Sequence, residues 1–411
     1  MNPVHRKLTY LLSLIALLSL GEISMAQRIP GTWEQKASMG SGRFWAFSCA
    51  ANGKVYGGTG RTAFSGNTIG DFWEYDVATD TWTQKADFPG GVREGADGFS
   101  VNGRIFAGFG TPFIAFNSDL YEYIPATDTW ETRASVPGGV GFAYSHGFVI
   151  DSMYYMGPEN GTNKMYAYNV NTDIWTQVAD FPGKDRRAQV AFTAAGKGYI
   201  GLGFWVFGSV QGDFFAYDPV TDTWAEVAGL LPKSDQSTGF GIGEFGYVHN
   251  VGGNQKDTYR YDPSKDEWFF EVNHPGDRIA NATSCVLDSN AYLVFGERTI
   301  SGGNSASDQI WKFTPGRDTT NSTAISREQY APKVFLGTTM EGNLSVDISG
   351  ENLAQTTTVI LSDLSGRRLI SGQMNIPGNT TFETAGLASG LYLVSLYASG
   401  YPVYTQKWMK P

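Results

Sequence analysis

The chain has 411 residues and is rich in glycine and in aromatic residues, with 51 glycines and 14% Phe, Trp and Tyr. Its formal net charge of −10 at pH 7 argues against nucleic acid and anionic membrane surfaces as partners. A chain of this length can form two domains, and its glycine content suits many short strands joined by tight turns.

The first 26 residues have the pattern of a secretory signal peptide. A basic start at residues 5 to 7 precedes an apolar run of about 13 residues, and Ser24-Met25-Ala26 supplies small residues for a cleavage site. A membrane anchor is the alternative, but the run is shorter than the roughly 20 residues that span a bilayer. Cleavage before Gln27 removes two basic residues and one acidic residue. The mature net charge is then −11, and no membrane span remains.

Residues 27 to 315 repeat one phrase that combines a Tyr-Asp or related pair with a tryptophan. The tryptophans that end the complete copies are 44 to 49 residues apart, at Trp82, Trp130, Trp175, Trp224 and Trp268. A period near 48 residues is the spacing of one four-stranded propeller blade. The phrase resembles the kelch repeat, in which an arginine opens the first strand, the second ends in Gly-Gly, the third carries Tyr-Asp and the fourth carries the tryptophan.

A sixth copy begins near Arg278 but lacks its fourth strand. The missing strand is found at the N-terminal end of the repeat region, where residues 32 to 37 match residues 81 to 86 almost residue for residue. The sequence therefore predicts an all-β fold with a six-bladed propeller closed by this N-terminal strand. Closure also removes the open sheet edges that favour aggregation.

Two cysteines, Cys49 and Cys285, occupy equivalent positions on the inner strands of neighbouring blades, each seven residues before a repeat tyrosine. A disulfide between them is an option in an exported protein. Rotational symmetry makes equivalent side chains point in the same sense around the ring, so their Cβ vectors do not converge as a bridge requires. We predict buried free thiols.

Few side chains in the sequence are suited to a metal ion. His5 leaves with the signal peptide, His274 lies in a turn, and His146 and His249 fall on separate strands. The kelch superfamily includes copper-radical galactose oxidases, whose site needs histidines, tyrosines and a cross-linked cysteine. Since no such constellation can be traced, we reject that activity and predict neither a metal nor another cofactor.

Arginines give a stronger signal than histidines. Arg43, Arg93 and Arg186 each stand thirteen residues before the aromatic residue of a second strand, and Arg278 is displaced by one position. Because inner strands line the channel of a propeller, these residues and Glu94 are candidates for a ligand-binding rim that suits carboxylates or acidic sugars. Alternatively, the arginines pack on neighbouring blades and donate to loop carbonyls.

A recurrent aspartate precedes each tryptophan by two residues, at Asp80, Asp128, Asp173, Asp222 and Asp266. Aspartate is favoured in turns because its side chain bonds to nearby backbone N–H groups. These residues are predicted to shape the hairpin before the fourth strand and to have no part in ligand binding.

Two classes of function are compatible with the repeats. The first is a binding module in which loops present a surface to a glycan or protein ligand, and the long segments 59 to 70 and 299 to 307 favour it. Aromatic residues near such loops either stack on sugar rings or pack between blades: Phe113, Phe116, Phe204, Trp205 and Phe207. We favour this class.

The second class is an enzyme. The sequence resembles the six-bladed N-acetylneuraminate mutarotases, which also carry Phe-Pro-Gly-Gly before an arginine, as at residues 88 to 91 here. Ring opening at an anomeric centre needs a positioned acid or base and an anchor for the carboxylate. Under this alternative, Glu297 and Arg298 are the predicted catalytic residues. A shared fold alone does not establish the activity.

The C-terminal part differs from the repeats in composition and in strand pattern. Residues 316 to 332 are polar and suit a linker, and residues 333 to 411 contain short alternating strands typical of a small Ig-like β-sandwich. Residues 361 to 367, 387 to 394 and 406 to 410 resemble the type A sorting domain of the type IX secretion system. The resemblance implies passage through the periplasm to the surface or exterior of a Gram-negative bacterium, with the secretion machinery as a partner.

Overall fold

A computed structural model describes residues 28–318, apart from 113–114, 160, 206–207, 232, 252–255 and 301–302. It also describes residues 333–410, apart from 340–342, 350–355, 364–367, 376–377 and 399–400. One compact unit is Arg28–Asp318, and the other contains Thr319–Pro411. The predicted signal peptide and residues 319–332 of the predicted linker lie outside the described residues. In the described part, no helix is long and apolar enough to cross a membrane.

The unit Arg28–Asp318 contains six antiparallel sheets of four strands each, which are the predicted blades. Blade one consists of Phe47–Ala51, Lys54–Gly58, Phe72–Asp76 and Thr81–Lys85. Blade two consists of Glu94–Val101, Arg104–Thr111, Leu120–Ile124 and Thr129–Arg133, and a short 3-10 turn follows at Pro137–Gly139. Blade three consists of Phe148–Ile150, Met153–Met156, Met165–Asn169 and Ile174–Val178.

The next two blades complete the regular part of the ring. Blade four consists of Val190–Ala194, Lys197–Gly201, Phe214–Asp218 and Thr223–Val227. Blade five consists of Thr238–Ile242, Phe245–Val251, Asp257–Asp262 and Glu267–Asn273. Smaller sheets decorate the connections: Phe204–Trp205 with Ser209–Val210, Arg278–Ala280 with Glu297–Ile300 and Gly303–Ala306, and Arg28–Ile29 with Arg317–Asp318.

Blade six confirms the predicted closure of the ring. Its inner strands are Thr283–Leu287, Asn290–Val294 and Ile310–Thr314, and its outer strand is Thr32–Gln35 from the N-terminal end. Trp33 pairs with Phe313 as Trp82 pairs with Tyr75 in blade one. The first strands of neighbouring blades contact each other all the way round, so that they enclose a central channel.

The repeated aspartate and tryptophan join neighbouring blades. In each of blades one to five, the aspartate accepts the hydroxyl of the repeat tyrosine and also the backbone N–H of an alanine in the preceding blade. The tryptophan Nε1 donates to the carbonyl of that same alanine. For example, Tyr75 Oη and Ala37 N lie 2.5 and 2.9 Å from Asp80 Oδ1, and Trp82 Nε1 lies 2.7 Å from Ala37 O. The aspartates thus have the structural role predicted for them and also form a contact to the preceding blade.

The junction between blades five and six is built differently. Gly31 stands where the other blades have the aspartate, and Glu271 of blade five takes over its function. Its buried carboxylate accepts Gly31 N at 3.0 Å and Gly316 N at 2.8 Å, and it forms an ion pair with Arg28 at 2.9 Å. Glu271 therefore holds both ends of the propeller chain together.

The second unit is a small sandwich of two sheets, as predicted. One sheet contains Lys333–Thr338, Leu344–Ser349 and Gly378–Phe382, and the other contains Thr356–Ser362, Arg368–Asn375, Gly390–Ala398 and Tyr401–Lys410. Its core includes Leu344, Val359, Val394 and Trp408. Trp408 Nε1 donates to Thr338 Oγ1 at 3.1 Å and so links the two sheets.

Candidate functional site

The repeat arginines Arg43, Arg93 and Arg186 are buried between strands, which corrects the prediction that they form a ligand-binding rim. Each guanidinium donates to the aspartate that precedes the third strand of its own blade and to one or two backbone carbonyls. The Nη1-to-Oδ1 distances are 2.6 Å for Arg43–Asp71, 2.7 Å for Arg93–Asp119 and 2.6 Å for Arg186–Asp213. A buried guanidinium without a counter-charge is costly, so the repeat supplies one each time.

The electrostatics of the Arg43–Asp71 pair agree with this internal role. The guanidinium of Arg43 counteracts the desolvation of the Asp71 carboxylate and leaves the pKa of Asp71 below its usual value. Each arginine also lies over a phenylalanine ring at 4.8 to 5.0 Å. Their hydrogen-bonding capacity is therefore directed into the framework of the ring.

The two other residues of the predicted rim lie nearer the mouth of the channel but are also occupied. Glu94 is buried, accepts Tyr144 Oη at 2.5 Å and pairs with Arg61 Nε at 2.5 Å. Arg278 donates to the side chains of Gln236 and Thr299. Both residues support side chains at the mouth and do not form a cluster with the three buried arginines.

The predicted catalytic pair Glu297 and Arg298 is not brought together. They are neighbours on one strand, where successive side chains point to opposite faces. Glu297 is only 2% exposed and accepts the amides of Asn281 and Asn304, while Arg298 lies 3.9 Å from Asp277. The geometry gives Glu297 a supporting role and offers no shared reaction site for the pair.

Backbone hydrogen bonds join the blades at one mouth of the channel, at or just before the start of each inner strand. The bonds are Trp45 N to Asn281 O (3.4 Å), Gly95 N to Trp45 O (2.8 Å), Tyr144 N to Gly95 O (2.9 Å), Ala188 N to Tyr144 O (2.7 Å) and Asn281 N to Gln236 O (3.3 Å). We call Trp45, Gly95, Tyr144, Ala188, Gln236 and Asn281 the mouth belt. It brings one residue from every blade to the same place.

The mouth belt has an unusual backbone conformation. Trp45, Tyr144, Ala188 and Asn281 have positive φ angles of 52°, 60°, 52° and 50°. For bulky residues this left-handed conformation is uncommon, and it tends to occur at functional sites, where the surrounding structure imposes it. At this mouth the framework thus holds Trp45 and Tyr144, two large aromatic residues, in the left-handed conformation.

A depression of about 450 Å³ lies over the mouth belt. We call it the mouth depression. Among the residues that line it are Trp45, Tyr144, Arg187, Phe204, Gln236 and Asn281. The Trp45 and Tyr144 rings meet edge to face at 5.2 Å, and the half-exposed Phe64 lies 6.0 Å from Trp45. Aromatic faces beside amide groups give the depression both stacking surfaces and hydrogen-bonding groups.

Arg187 is the cation of the mouth depression. Its backbone pairs with Phe204 in both directions, at 3.1 and 2.9 Å, which fixes the chain at the rim. Its side chain is partly buried, and its guanidinium has no hydrogen-bond or ion-pair partner among the residues that the structure describes. Its charge acts on Tyr144, whose pKa is nevertheless raised, chiefly by burial and by the hydrogen bond to Glu94. Tyr144 therefore stays protonated.

His146 lies at the base of the mouth depression, where the depression meets a smaller cavity of about 250 Å³ in the channel. His146 Nδ1 is 3.2 Å from Asp97 Oδ1, and Asp97 also accepts Tyr154 Oη at 2.6 Å and Gly147 N at 3.0 Å. A histidine held by a buried carboxylate is an arrangement suited to proton transfer.

The channel cavity itself contains both cysteines as free thiols, as predicted. Burial raises the pKa of the Cys285 thiol to about 12 and that of Cys49 well above its usual value, so both thiols are protonated at neutral pH. In the described part of the chain, no three His, Cys, Asp or Glu side chains are grouped closely enough to hold a metal ion.

Sequence reasoning missed the residues that form the mouth depression. Arg187 follows the buried Arg186 directly, but the repeat pattern drew attention to Arg186. The sequence offered no partner for His146, because Asp97 is 49 residues away in the chain. Of the aromatics proposed for stacking, Phe204 lines the mouth depression, Trp205 donates to Asp185, and Phe113 and Phe207 lie outside the described residues.

The sheets and their cyclic order define the unit Arg28–Asp318 as a kelch-like β-propeller. The solved structure of YjhT, which superposes with a TM-score of 0.55 over 67% of this chain and 96% of that one, shares this fold at 16% identity. No family model matches the sequence.

Two curated relatives match parts of the chain. N-acetylneuraminate epimerase from Pasteurella multocida (strain Pm70) is 29% identical over 113 residues, which is 26% of this chain and 30% of the relative. N-acetylneuraminate epimerase from Yersinia enterocolitica serotype O:8 / biotype 1B (strain NCTC 13174 / 8081) is 32% identical over 104 residues, which is 23% and 26%. The matched segments span less than a third of either relative's length.

Proposed function

We propose that the propeller binds a small sugar that carries a carboxylate, and that it does so in the mouth depression. The observation that carries this proposal is Arg187, a partly buried guanidinium without a described partner in a depression lined by aromatic and amide side chains. The volume of about 450 Å³ lies within the range of small-molecule sites. Arg187 would supply a charge-assisted hydrogen bond to the carboxylate.

The other groups of the depression fit the rest of a sugar. Trp45 and Phe204 offer apolar faces for the ring, and Gln236 and Asn281 offer amide donors and acceptors for its hydroxyl groups. Supporting contacts hold these amides, because Arg278 donates to Gln236 and Asn281 donates to Glu297. A ligand would therefore meet groups that are already oriented, which reduces the entropy cost of binding.

A second candidate function is isomerisation of the bound sugar, as in an epimerase or mutarotase. The names of the two curated relatives favour it, and so does the His146–Asp97 pair at the base of the depression. In this reading the same carboxylate anchor holds the substrate. Both candidate functions require that the sugar binds in the mouth depression. A protein ligand on the blade-connecting loops remains the other form of the binding hypothesis.

Export is part of the proposal. The basic and apolar pattern of residues 1 to 26 supports a signal peptide, and the seven-stranded C-terminal sandwich is compatible with a type A sorting domain of the type IX secretion system. The protein would then act outside the cell or on the surface of a Gram-negative bacterium.

Deletion of residues 333 to 411 should leave a folded propeller that is retained in the periplasm. Equal secretion with and without this segment would refute the assignment.

Isothermal titration of the mature protein with N-acetylneuraminate, galacturonate and galactose tests the binding proposal. We expect heat of binding for at least one of the two acids and weaker binding, or none, for galactose. A glycan array extends the test to larger sugars. If no acidic sugar binds and the array gives no signal, the sugar proposal fails and a protein ligand becomes the better hypothesis.

A further inference from the structure

We infer that His146 is a proton-transfer residue: it accepts the proton of the anomeric hydroxyl of a reducing sugar in the mouth depression, so that the propeller interconverts the two anomers. The inference rests on the proposed function, because the sugar must first bind there. It takes up the second candidate function, isomerisation of the bound sugar, and names a base for it that the sequence analysis did not.

The surroundings of His146 give its two ring nitrogens different roles. Asp97 is 6% exposed, and Tyr154 and Gly147 hold its second oxygen, Oδ2. Its Oδ1 faces Nδ1 of His146 at 3.2 Å. Because a carboxylate accepts and does not donate, Nδ1 carries the proton of the neutral ring. The lone pair is then on Nε2, the nitrogen that can act as a base.

Nε2 of His146 is available to a ligand. The side chain is 30% exposed, it lines the mouth depression, and Nε2 has no hydrogen-bond partner within the described parts of the chain. His249 and His274 provide a contrast, since both are buried among aromatic rings at the junction of blades five and six. Of the three described histidines, His146 alone combines an orienting carboxylate with access to a cavity.

The position of His146 matches the direction from which a sugar would enter. It stands two residues after Tyr144 of the mouth belt, between the aromatic rim and the channel. A sugar whose carboxylate is held at Arg187 can direct its anomeric hydroxyl towards the base of the depression. His146 is then the proposed catalytic residue, and Asp97, which acts through His146, is a positioning residue.

The step balances without a cofactor or oxidant. Nε2 takes the proton of the anomeric hydroxyl, a C=O double bond forms at the anomeric carbon, and the bond from that carbon to the ring oxygen breaks. The ring oxygen keeps the electron pair of the broken bond and takes a proton from water. Rotation about the bond to the carbonyl carbon and reversal of these steps close the ring on the other face and return the proton from His146.

Exchange NMR can test the inference, using whichever reducing acid sugar binds in titrations. Anomer exchange would be compared for wild type, His146→Gln, His146→Asn and Asp97→Asn, with the dissociation constant and melting temperature of each variant measured in parallel. General base catalysis typically contributes 10²- to 10⁴-fold, so each His146 variant should lose at least about 100-fold of the acceleration. The affinity of each His146 variant for the sugar should change by less than about threefold. In a further variant, His146→Gly, added imidazole should restore part of the exchange rate.

Each outcome separates the inference from the proposed function. If wild type binds the sugar but does not accelerate exchange, the inference is wrong and the binding proposal stands. If acceleration persists in both folded His146 variants, another group is the base. If no acidic sugar binds, the proposed function itself fails. Asp97→Asn should lower the rate at unchanged affinity, whereas a merely structural Asp97 would lower the melting temperature and leave the rate of the folded fraction unchanged.

Discussion

Arg186 and Arg187 are adjacent in the sequence but belong to two different regions, the buried framework of the propeller and the mouth depression. Arg186 is fully buried in the framework of its own blade, where Asp213 and the carbonyls of Lys184 and Leu202 accept hydrogen bonds from its guanidinium. Arg187 lies at the mouth depression and has no described partner for its guanidinium. The framework pairs its arginines with carboxylates, whereas the mouth leaves the guanidinium of Arg187 available.

The contrast extends to the rest of the ring. The aspartate before the fourth strand and the tryptophan in that strand recur in blades one to five, where they form contacts between neighbouring blades. Residues at the mouth belt differ from blade to blade, from Trp45 to Gly95 to Asn281. Repetition therefore marks what the fold needs, and departure from the repeat marks where a ligand can be recognised.

The largest expected effect is on the framework. Deletion of residues 28 to 40 removes the outer strand of blade six, including Trp33, and takes Arg28 away from Glu271. An open propeller exposes an unpaired strand edge and part of its core. We expect loss of cooperative thermal unfolding and of soluble protein. A deletion variant that melts at the parent temperature would contradict the closure described here.

The fold and the site differ in how far the sequence predicts them, because the residues that form the fold are recognised locally and those that form the site are distant in the chain. The blade number and the closing strand were predicted because a local match between residues 32 to 37 and 81 to 86 identifies them. The partners of the arginines could not be predicted, since Asp213 lies 27 residues from Arg186 and only the folded blade brings them together. The mouth depression needs one residue from each blade. No local pattern encodes that assembly.

Arg186→Ala should be the most damaging single substitution in the comparison. It leaves Asp213 without its counter-charge and two carbonyls without a donor. Removal of one member of a buried pair costs about 3–5 kcal/mol, and the partial exposure of Asp213 places the expected loss of unfolding free energy near 3 kcal/mol. Urea denaturation measures it, with Lys197→Ala as the exposed control. A stable Arg186→Ala protein that no longer binds sugar would reverse the assignment of the two arginines.

Acid should weaken the closing junction of the framework. Burial lowers the pKa of His274 to about 4, and it also lowers that of His249. Between about pH 6.5 and pH 4 the unfolded chain binds a proton that native His274 does not, so stability falls as the pH falls through this window. The loss from His274 approaches roughly 3 kcal/mol near pH 4. His274→Phe should flatten the pH dependence of the unfolding free energy, and an unchanged slope would contradict this cause.

Arg187→Ala should have the smallest effect on the framework. Since no described residue depends on its guanidinium, the unfolding free energy should change by less than about 0.5 kcal/mol. The change should appear instead in ligand affinity. Urea denaturation of Arg187→Ala beside Arg186→Ala therefore compares two neighbouring arginines under the same conditions. A loss of stability of similar size in both variants would show that Arg187 also belongs to the framework.

The central claim is that Arg187 binds the carboxylate of the sugar. The most direct test measures four affinities, those of wild type and of Arg187→Ala for galacturonate and for galactose. Loss of a charge-assisted hydrogen bond costs about 1.5–3 kcal/mol, so Arg187→Ala should bind galacturonate roughly 10- to 150-fold more weakly. Its weaker affinity for galactose should change by less than about twofold, and Lys197→Ala should match wild type with both sugars. If Arg187→Ala weakens both sugars equally, or neither of them, Arg187 is not the carboxylate anchor of this propeller.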